Sequence, residues 1–239
     1  EKTDLQQKAA DLLWKAEITH SAIDPLTALI PELHVSDSSA VQLLNINRKL
    51  NSGRSISGHK VGLSSKAMQK MMGVNEPDYG HLLNDFFYKN GDTINTRKYF
   101  IPRIEVELAY VLGMTLPAPN CTVKDVLNAT EYIQPAIELI DSRIKDWKIK
   151  LVDTISDNAS SAGLIMGGDK VKATKDETTI ENDKAIAVSL NRVPEIPSIN
   201  ISGKKTAIRI NVVAIIANVI CLDPLYDATS GFSPFSILL

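Results

Sequence analysis

The sequence predicts an α+β chain, with a small helical N-terminal part over residues 1–55 and a larger β-rich domain over residues 56–239. Two observations carry this. In the first 55 residues apolar side chains recur at helical spacing. Beyond Ser57 short runs rich in Val, Ile and Leu alternate with Gly, Pro, Asn and Asp, which is the texture of strands and turns. A third observation gives the fold its interest: two of the most strand-like runs carry glutamates.

In the N-terminal part, Leu5, Ala9, Leu12, Leu13 and Ala16 predict a helix over residues 4–19. Asp24-Pro25 and Pro31 break the chain. Ser36 or Asp37 is placed to cap a second helix whose inner side carries Ala40, Val41, Leu43 and Leu44, and Gly53 ends it. His20 and His34 have no partners in sequence and are read as surface or packing residues.

Gly58-His59-Lys60-Val61-Gly62-Leu63 reads as a short strand between glycines, which let a backbone or ligand come close to Lys60. Lys60 is either a solvated edge residue or a partly desolvated anion binder. Ser64-Ser65 can cap a helix over Lys66–Met72 with Gly73 at its stop. Glu76-Pro77-Asp78-Tyr79-Gly80 is turn chemistry, and Asp78 is often only a turn former there. His81 has no orienting carboxylate nearby in sequence. Phe86–Tyr88 predicts a short strand and Asn90-Gly91-Asp92 a tight turn.

Ile101–Leu112 predicts a strand carrying Glu105 and Glu107. Side chains alternate along a strand, so the two carboxylates share a face, and Ile104, Val106 and Leu108 are expected to point into a core. A strand with one wet face would simply solvate both glutamates. If they are buried instead, their repulsion calls for a cation, and Mg²⁺ or Mn²⁺ suits carboxylate oxygens. Thr122 is a cap for a helix over 123–132 that Gln134-Pro135 stops. Ala136–Asp141 is then an apolar strand with a third glutamate, Glu138. Trp147 is expected to pack on its basic loop. The polar run Thr154–Ser161 opens onto the strand Ala162–Gly168, which suits the rim of a site, although Asp157 and Asn158 also fit a capped turn.

The remaining composition is ordinary: 239 residues, 44% apolar, 23% charged, net charge −2. That excludes an electrostatic footprint for nucleic acid. No apolar run reaches membrane-span length, and no charged-then-apolar leader is visible at the N-terminus, so a secretory signal is not expected. Glu1 in place of Met is read as processing or truncation. Cys121 and Cys221 fit no metal or redox spacing, so a reducing cytoplasm is expected. Residues 169–200 are charged, contain Pro194 and Pro197 and are expected to bury little. Val212–Ile220 fits either a helix or a strand, and Gly231–Leu239 is an apolar stretch that must find cover.

Taken together, Gly58–Leu63, Glu76–Gly80, Pro102-Arg103-Ile104-Glu105-Val106-Glu107, Pro135-Ala136-Ile137-Glu138 and Asp153-Thr154-Ile155-Ser156-Asp157-Asn158-Ala159 resemble, in this order, the 2-oxo-4-pentenoate hydratase family. That family includes 2-oxohept-4-ene-1,7-dioate hydratase and belongs to the fumarylacetoacetate hydrolase superfamily. The resemblance covers residues 36–168. It implies a helical N-terminal part, a rolled mixed β-sheet of fumarylacetoacetate-hydrolase type and homo-oligomers. It implies Glu105, Glu107 and Glu138 as ligands of Mg²⁺ or Mn²⁺, with Lys60 and Asp78 as the catalytic pair.

The implied reaction is the addition of water to a 2-hydroxy-2,4-dienoate, giving a 4-hydroxy-2-oxo acid, in aromatic catabolism. The metal would act as a Lewis acid on the 2-oxo acid. Arg103, Gly58–Val61 and Asp141-Ser142-Arg143 match the hydratases better than the related 4-oxalocrotonate decarboxylases. The alternatives are such a 2-oxo acid decarboxylase, or a non-catalytic partner subunit, since hydratases and decarboxylases of this family form complexes. After Gly168 the chain departs from the family pattern, which leaves the far wall of the pocket and the oligomer contacts open.

Overall fold

The computed structural model describes residues 2–63, 69–70, 77–117, 122–172 and 237–238. The expectations for Lys66–Met72 with its stop at Gly73, for most of 169–200, for Val212–Ile220 and for 231–236 lie wholly or largely outside these residues.

Helix α1 (Lys2–Thr19) and helix α3 (Val35–Asn51) flank a single turn, α2 (Leu26–Leu29), that starts directly after Pro25. The expected apolar stripes are the buried ones: Ala9, Ala10, Leu13 and Ala16 on α1, and Val41 and Ile46 on α3. The cap of α3 differs from expectation. His34 is the N-cap, and Asp37 sits three residues in, where its carboxylate accepts the His34 N–H at 3.1 Å. A Ser-type hydroxyl is not needed there, because the carboxylate closes the same ring from the helix side. Gly53, in the left-handed region at φ 93°, follows the end of α3.

The strands are β1 (Ile56–Gly62), β2 (Asp78–Leu83), β3 (Phe87–Tyr88), β4 (Arg103–Leu112), β5 (Thr130–Ile140), β6 (Ser161–Met166) and β7 (Ile237–Leu238). They form one mixed seven-stranded sheet in the order β2-β1-β7-β4-β5-β6-β3. The pairs β1–β7 and β3–β6 are parallel and the other four are antiparallel. The end of the final apolar stretch is thus the strand that joins β1 to β4 by main-chain pairing.

Helix α4 (Val123–Ala129) is capped as expected, with Thr122 Oγ1 accepting the Asp125 N–H at 3.2 Å and Asp125 accepting from Thr122 N at 2.7 Å. It ends earlier than its spacing suggests. Thr130, Tyr132 and Ile133 are β-branched or aromatic and pair with Leu112, Val111 and Tyr110, so β5 begins at Thr130 and runs through Pro135. Helix α5 (Leu151–Ser156), every residue of which is buried, completes the set.

Two cores result. Ala9, Ala10 and Leu13 of α1, Val41 of α3 and Val152 of α5 pack with Leu26, Ile30, Leu33 and Ile144. Leu82 of β2 packs with Ala109 and Val111 of β4, Ala136 of β5 and Leu164 of β6. Leu82 lies on the first strand of the sheet and Leu164 on the sixth, so their shared cluster requires the sheet to roll on itself. Ala109 and Val111 share a face with Glu105 and Glu107. The glutamates therefore occupy the concave inner face, and Ile104 and Val106 are turned outward.

This corrects the expectation that Ile104 and Val106 face a core: they are 72% and 56% exposed, and Ile137, registered against Val106, is 44% exposed. Only the other end of that outer face is buried, at Tyr110 and Leu112.

Candidate metal and 2-oxo acid site

The register of β4 against β5 places Glu105 directly opposite Glu138, while Glu107 stands opposite Ala136. Like charges set face to face across a ladder repel. Oxygens of Glu105, Glu107 and Glu138 converge to within 4.8 Å of one another. Burial is graded: Glu105 is exposed, Glu107 is half-buried and Glu138 is 2% exposed. Burial first, and then the charge of Glu105, push the Glu107 carboxyl up to about 7. Burial also pushes Glu138 up to about 7, against the pull of Lys60.

Lys60 comes from β1, three strands from β5 in the sheet order, which is about 14 Å in a flat sheet. The roll brings its Nζ to 3.5 Å from Glu138 Oε1. Burial alone would lower the Lys60 pKa. The negative charges of Glu138, Asp78, Glu105 and Glu107 outweigh it and raise the pKa, so the ammonium is retained. The two readings of Lys60 are thereby separated: it is a buried cation inside an acidic pocket.

Asp78 opens β2 and pairs with Gly62. Its Oδ2 accepts a hydrogen bond from Thr154 Oγ1 at 2.9 Å. Its Oδ1 is buried without a hydrogen-bond partner among the described residues. Gly62 is required here, because a β-carbon on it would lie 2.0 Å from that oxygen. The sequence therefore singles out five residues that the fold brings to one inner face: Lys60, Asp78, Glu105, Glu107 and Glu138.

Other residues singled out in the sequence have different surroundings. Arg103 lies with its guanidinium over the Trp147 ring at 4.2 Å, and the indole N–H donates to Ile101 O at 2.9 Å. His59 and His81 face each other across β1 and β2 with ring centroids 5.0 Å apart, on the side opposite Lys60 and Gly80. Burial holds both imidazoles neutral, His81 at about 4. His20 stacks on Phe100 at 4.6 Å.

Asp157 is a structural anchor. It pairs with the Arg143 guanidinium and accepts from Arg143 N at 2.9 Å and Ser142 Oγ at 3.1 Å. Asn158 clamps β2, accepting from His81 N at 2.7 Å and donating to His81 O at 2.9 Å. Thr154, Gln42 and Asn158 are supporting residues; sequence reasoning places Thr154 and Asn158 only in a site rim or a capped turn and does not single out Gln42. Their partners lie 76, 37 and 77 residues away, and no local spacing encodes a contact at that separation.

No model of a known protein family matches the chain. Curated relatives do. The chain is 46% identical over 169 residues to a 2-oxo-hept-4-ene-1,7-dioate hydratase of Escherichia coli, covering 68% of this chain and 63% of that protein. It is 37% identical over 192 residues to a 2-keto-4-pentenoate hydratase of Dechloromonas aromatica (strain RCB), covering 80% of this chain and 71% of that one. A 2-hydroxypent-2,4-dienoate hydratase of Pseudomonas putida is 40% identical over 167 residues, with 70% of this chain and 75% of the relative covered. The chain belongs to the 2-keto-4-pentenoate hydratase family.

The family resemblance extends to solved structures. A 4-oxalocrotonate decarboxylase from Pseudomonas putida G7, complexed with magnesium and adipate, superposes with a TM-score of 0.76 at 25% identity, covering all of this chain and 87% of that one. This member of the hydratase family spans 60–63% of the length of several of its curated relatives.

Proposed function

We propose that this chain is a divalent-metal-dependent hydratase that adds water to a 2-hydroxy-2,4-dienoate to give a 4-hydroxy-2-oxo acid. The observation that carries the reading is the convergence of three carboxylates, one of them almost fully buried, beside a retained lysine ammonium. The donor set fits a hard cation: oxygen ligands only, and a net negative charge that Lys60 by itself does not balance. Glu138 Oε1, buried, ion-paired to Lys60 and with no hydrogen-bond partner among the described residues, fits the same role. We propose Glu105, Glu107 and Glu138 as its ligands, with Mg²⁺ or Mn²⁺ as the ion. When bound, the cation would act as a Lewis acid toward the carboxylate and 2-oxo oxygens of the substrate.

The rest of the chemistry falls to the chain. Lys60 keeps its proton, so it supplies fixed positive charge for the substrate's developing oxyanion. Asp78 presents Oδ1 beside it, an acceptor suited to moving a proton or holding the water that adds at C4. Protonation at the far end of the dienol generates the unsaturated ketone, and water then adds to its β-carbon. Hydratase names recur among the relatives and support this reaction over decarboxylation.

We further propose a homo-oligomer, supported by the exposed Ile104, Val106 and Ile137 on the outer face of β4 and β5, with a second copy of this chain as their cover. We place it in the cytoplasm, which two isolated cysteines suit. Among the described residues no helix is long and apolar enough to cross a membrane.

The test is the loss of dienoate absorbance on adding 2-hydroxypenta-2,4-dienoate with Mg²⁺, with chelator as the control. Product appearing as a 4-hydroxy-2-oxo acid without CO₂ release supports the hydratase. Stoichiometric CO₂ from a 4-oxalocrotonate-type substrate would replace it with a decarboxylase.

A further inference from the structure

The Asp78 carboxylate is flanked by two elements distant in sequence, and a third braces them. Thr154 on α5 donates to Oδ2. Gly62 on β1 leaves the space that Oδ1 fills. Gln42 on α3, itself almost fully buried, donates both to Tyr79 O at 2.9 Å and to Ile155 O at 2.7 Å, so one side-chain amide ties β2 to α5 beside the Asp78–Thr154 bond. Helix α5 is fixed in turn at its start, where Asp153 accepts from Thr27 N, Thr27 Oγ1 and Lys150 N. The Thr154 hydroxyl is thus delivered by a helix anchored through Asp153 at its start and through Ile155 O beside the bond.

We infer that Thr154 is a positioning residue for Asp78: its hydroxyl occupies Oδ2 and leaves Oδ1 as the oxygen presented to the reacting molecule beside Lys60. The inference rests on the hydratase reading above for what Asp78 does, but not for where it points. A carboxylate in a pocket with three other carboxylates and one ammonium has a competing orientation, with either oxygen swung toward the Lys60 charge. A neutral hydroxyl donor on one oxygen selects a single rotamer at low electrostatic cost.

The experiment compares wild type with Thr154→Val, which removes the hydroxyl and keeps the volume, and Thr154→Ser, which keeps the hydroxyl. Each is loaded with Mn²⁺ and assayed on 2-hydroxypenta-2,4-dienoate. Thr154→Val is expected to lower kcat about tenfold or more, the loss of one hydrogen bond to a charged group, with KM and Mn²⁺ affinity by paramagnetic resonance held within about twofold. Thr154→Ser is expected to restore most of kcat. Gly62→Ala attacks the same carboxylate from the opposite side and is expected to reproduce the kcat loss with Mn²⁺ binding retained.

Wild-type kcat in Thr154→Val, or equal damage in the Val and Ser variants, overturns the inference. Wild-type kcat in Gly62→Ala overturns it as well, which keeps the idea exposed if Thr154→Val does not fold. A wild type that binds Mn²⁺ and turns over no dienoate overturns the hydratase reading instead. Crystal structures of wild type and Thr154→Val then decide the positioning role alone: a shifted Asp78 rotamer in the variant supports it, and an unchanged one overturns it.

Discussion

Glu138 lies across the ladder from Glu105, 2% exposed, with its charge answered by Lys60 at 3.5 Å. The carboxyls of Glu107 and Glu138 both sit near 7, above the ordinary glutamate value of 4.5. A raised carboxyl pKa means that the fold favours the protonated form, so this contribution to stability is complete below about 4.5 and is lost as pH rises through about 7. The chelator-treated protein should therefore melt lower at pH 8 than at pH 5.5 on account of this site, and saturating Mn²⁺ should remove that difference. Because the ligands must give up protons, Mn²⁺ affinity should fall about tenfold per pH unit below 7 for each proton displaced. Titration followed by proton release checks this, and a pH-independent affinity would contradict the ligand set. Lys60→Met should leave Mn²⁺ bound while lowering kcat by on the order of 100-fold or more. Wild-type turnover in that variant would remove Lys60 from the chemistry.

At the scale of elements, β2 depends on the turn that precedes β6. Asn158, Ala159 and Ser160 all have positive φ, at 55°, 49° and 58°, an uncommon run for residues other than glycine. The Asn158 side chain explains why the turn is worth its strain, because it satisfies both main-chain groups of buried His81. Gly80, next to it, admits the Asn158 carbonyl: a β-carbon there would lie 2.5 Å from that oxygen. Asn158→Ala should leave two buried backbone groups unpaired and cost on the order of 3 kcal/mol. A denaturant midpoint close to wild type would contradict this. The polar run Thr154–Ser161 is legible in sequence as a site rim. Its actual work, gripping β2 through Asn158 and Asp78 through Thr154, is not, because both partners lie more than 70 residues away.

For the whole molecule, the roll of the sheet is the step that makes a site. It carries Lys60 from β1 to Glu138 on β5 and sets Leu82 against Leu164. It also turns Ile104, Val106 and Ile137 outward, where they form an apolar strip with Val106 and Ile137 in register. If a second copy covers this strip, Val106→Glu should reduce the molar mass in light scattering while Mn²⁺ binding persists. An unchanged mass would show that the strip is not the contact.

What the sequence determines by itself is local and periodic. Residue spacing places helices on Leu5–Ala16 and Val41–Leu44, a strand with two same-face glutamates at 105 and 107, and a third glutamate in a neighbouring run. Turn chemistry locates Asn90-Gly91-Asp92, and Thr122 marks a helix start. Which face of β4 is inside is not local. Alternation says only that Glu105 and Glu107 oppose Ile104 and Val106, and hydrophobicity then assigns the apolar side inward. Tertiary structure reverses that choice at this end of the strand, because the concave side of the rolled sheet closes on the carboxylates around Lys60 while Ile104, Val106 and Ile137 on the convex side stay exposed among the described residues. The helix end at Ala129 was decided in the same way, since ten registered positions with β4 outweigh a few more residues of helix.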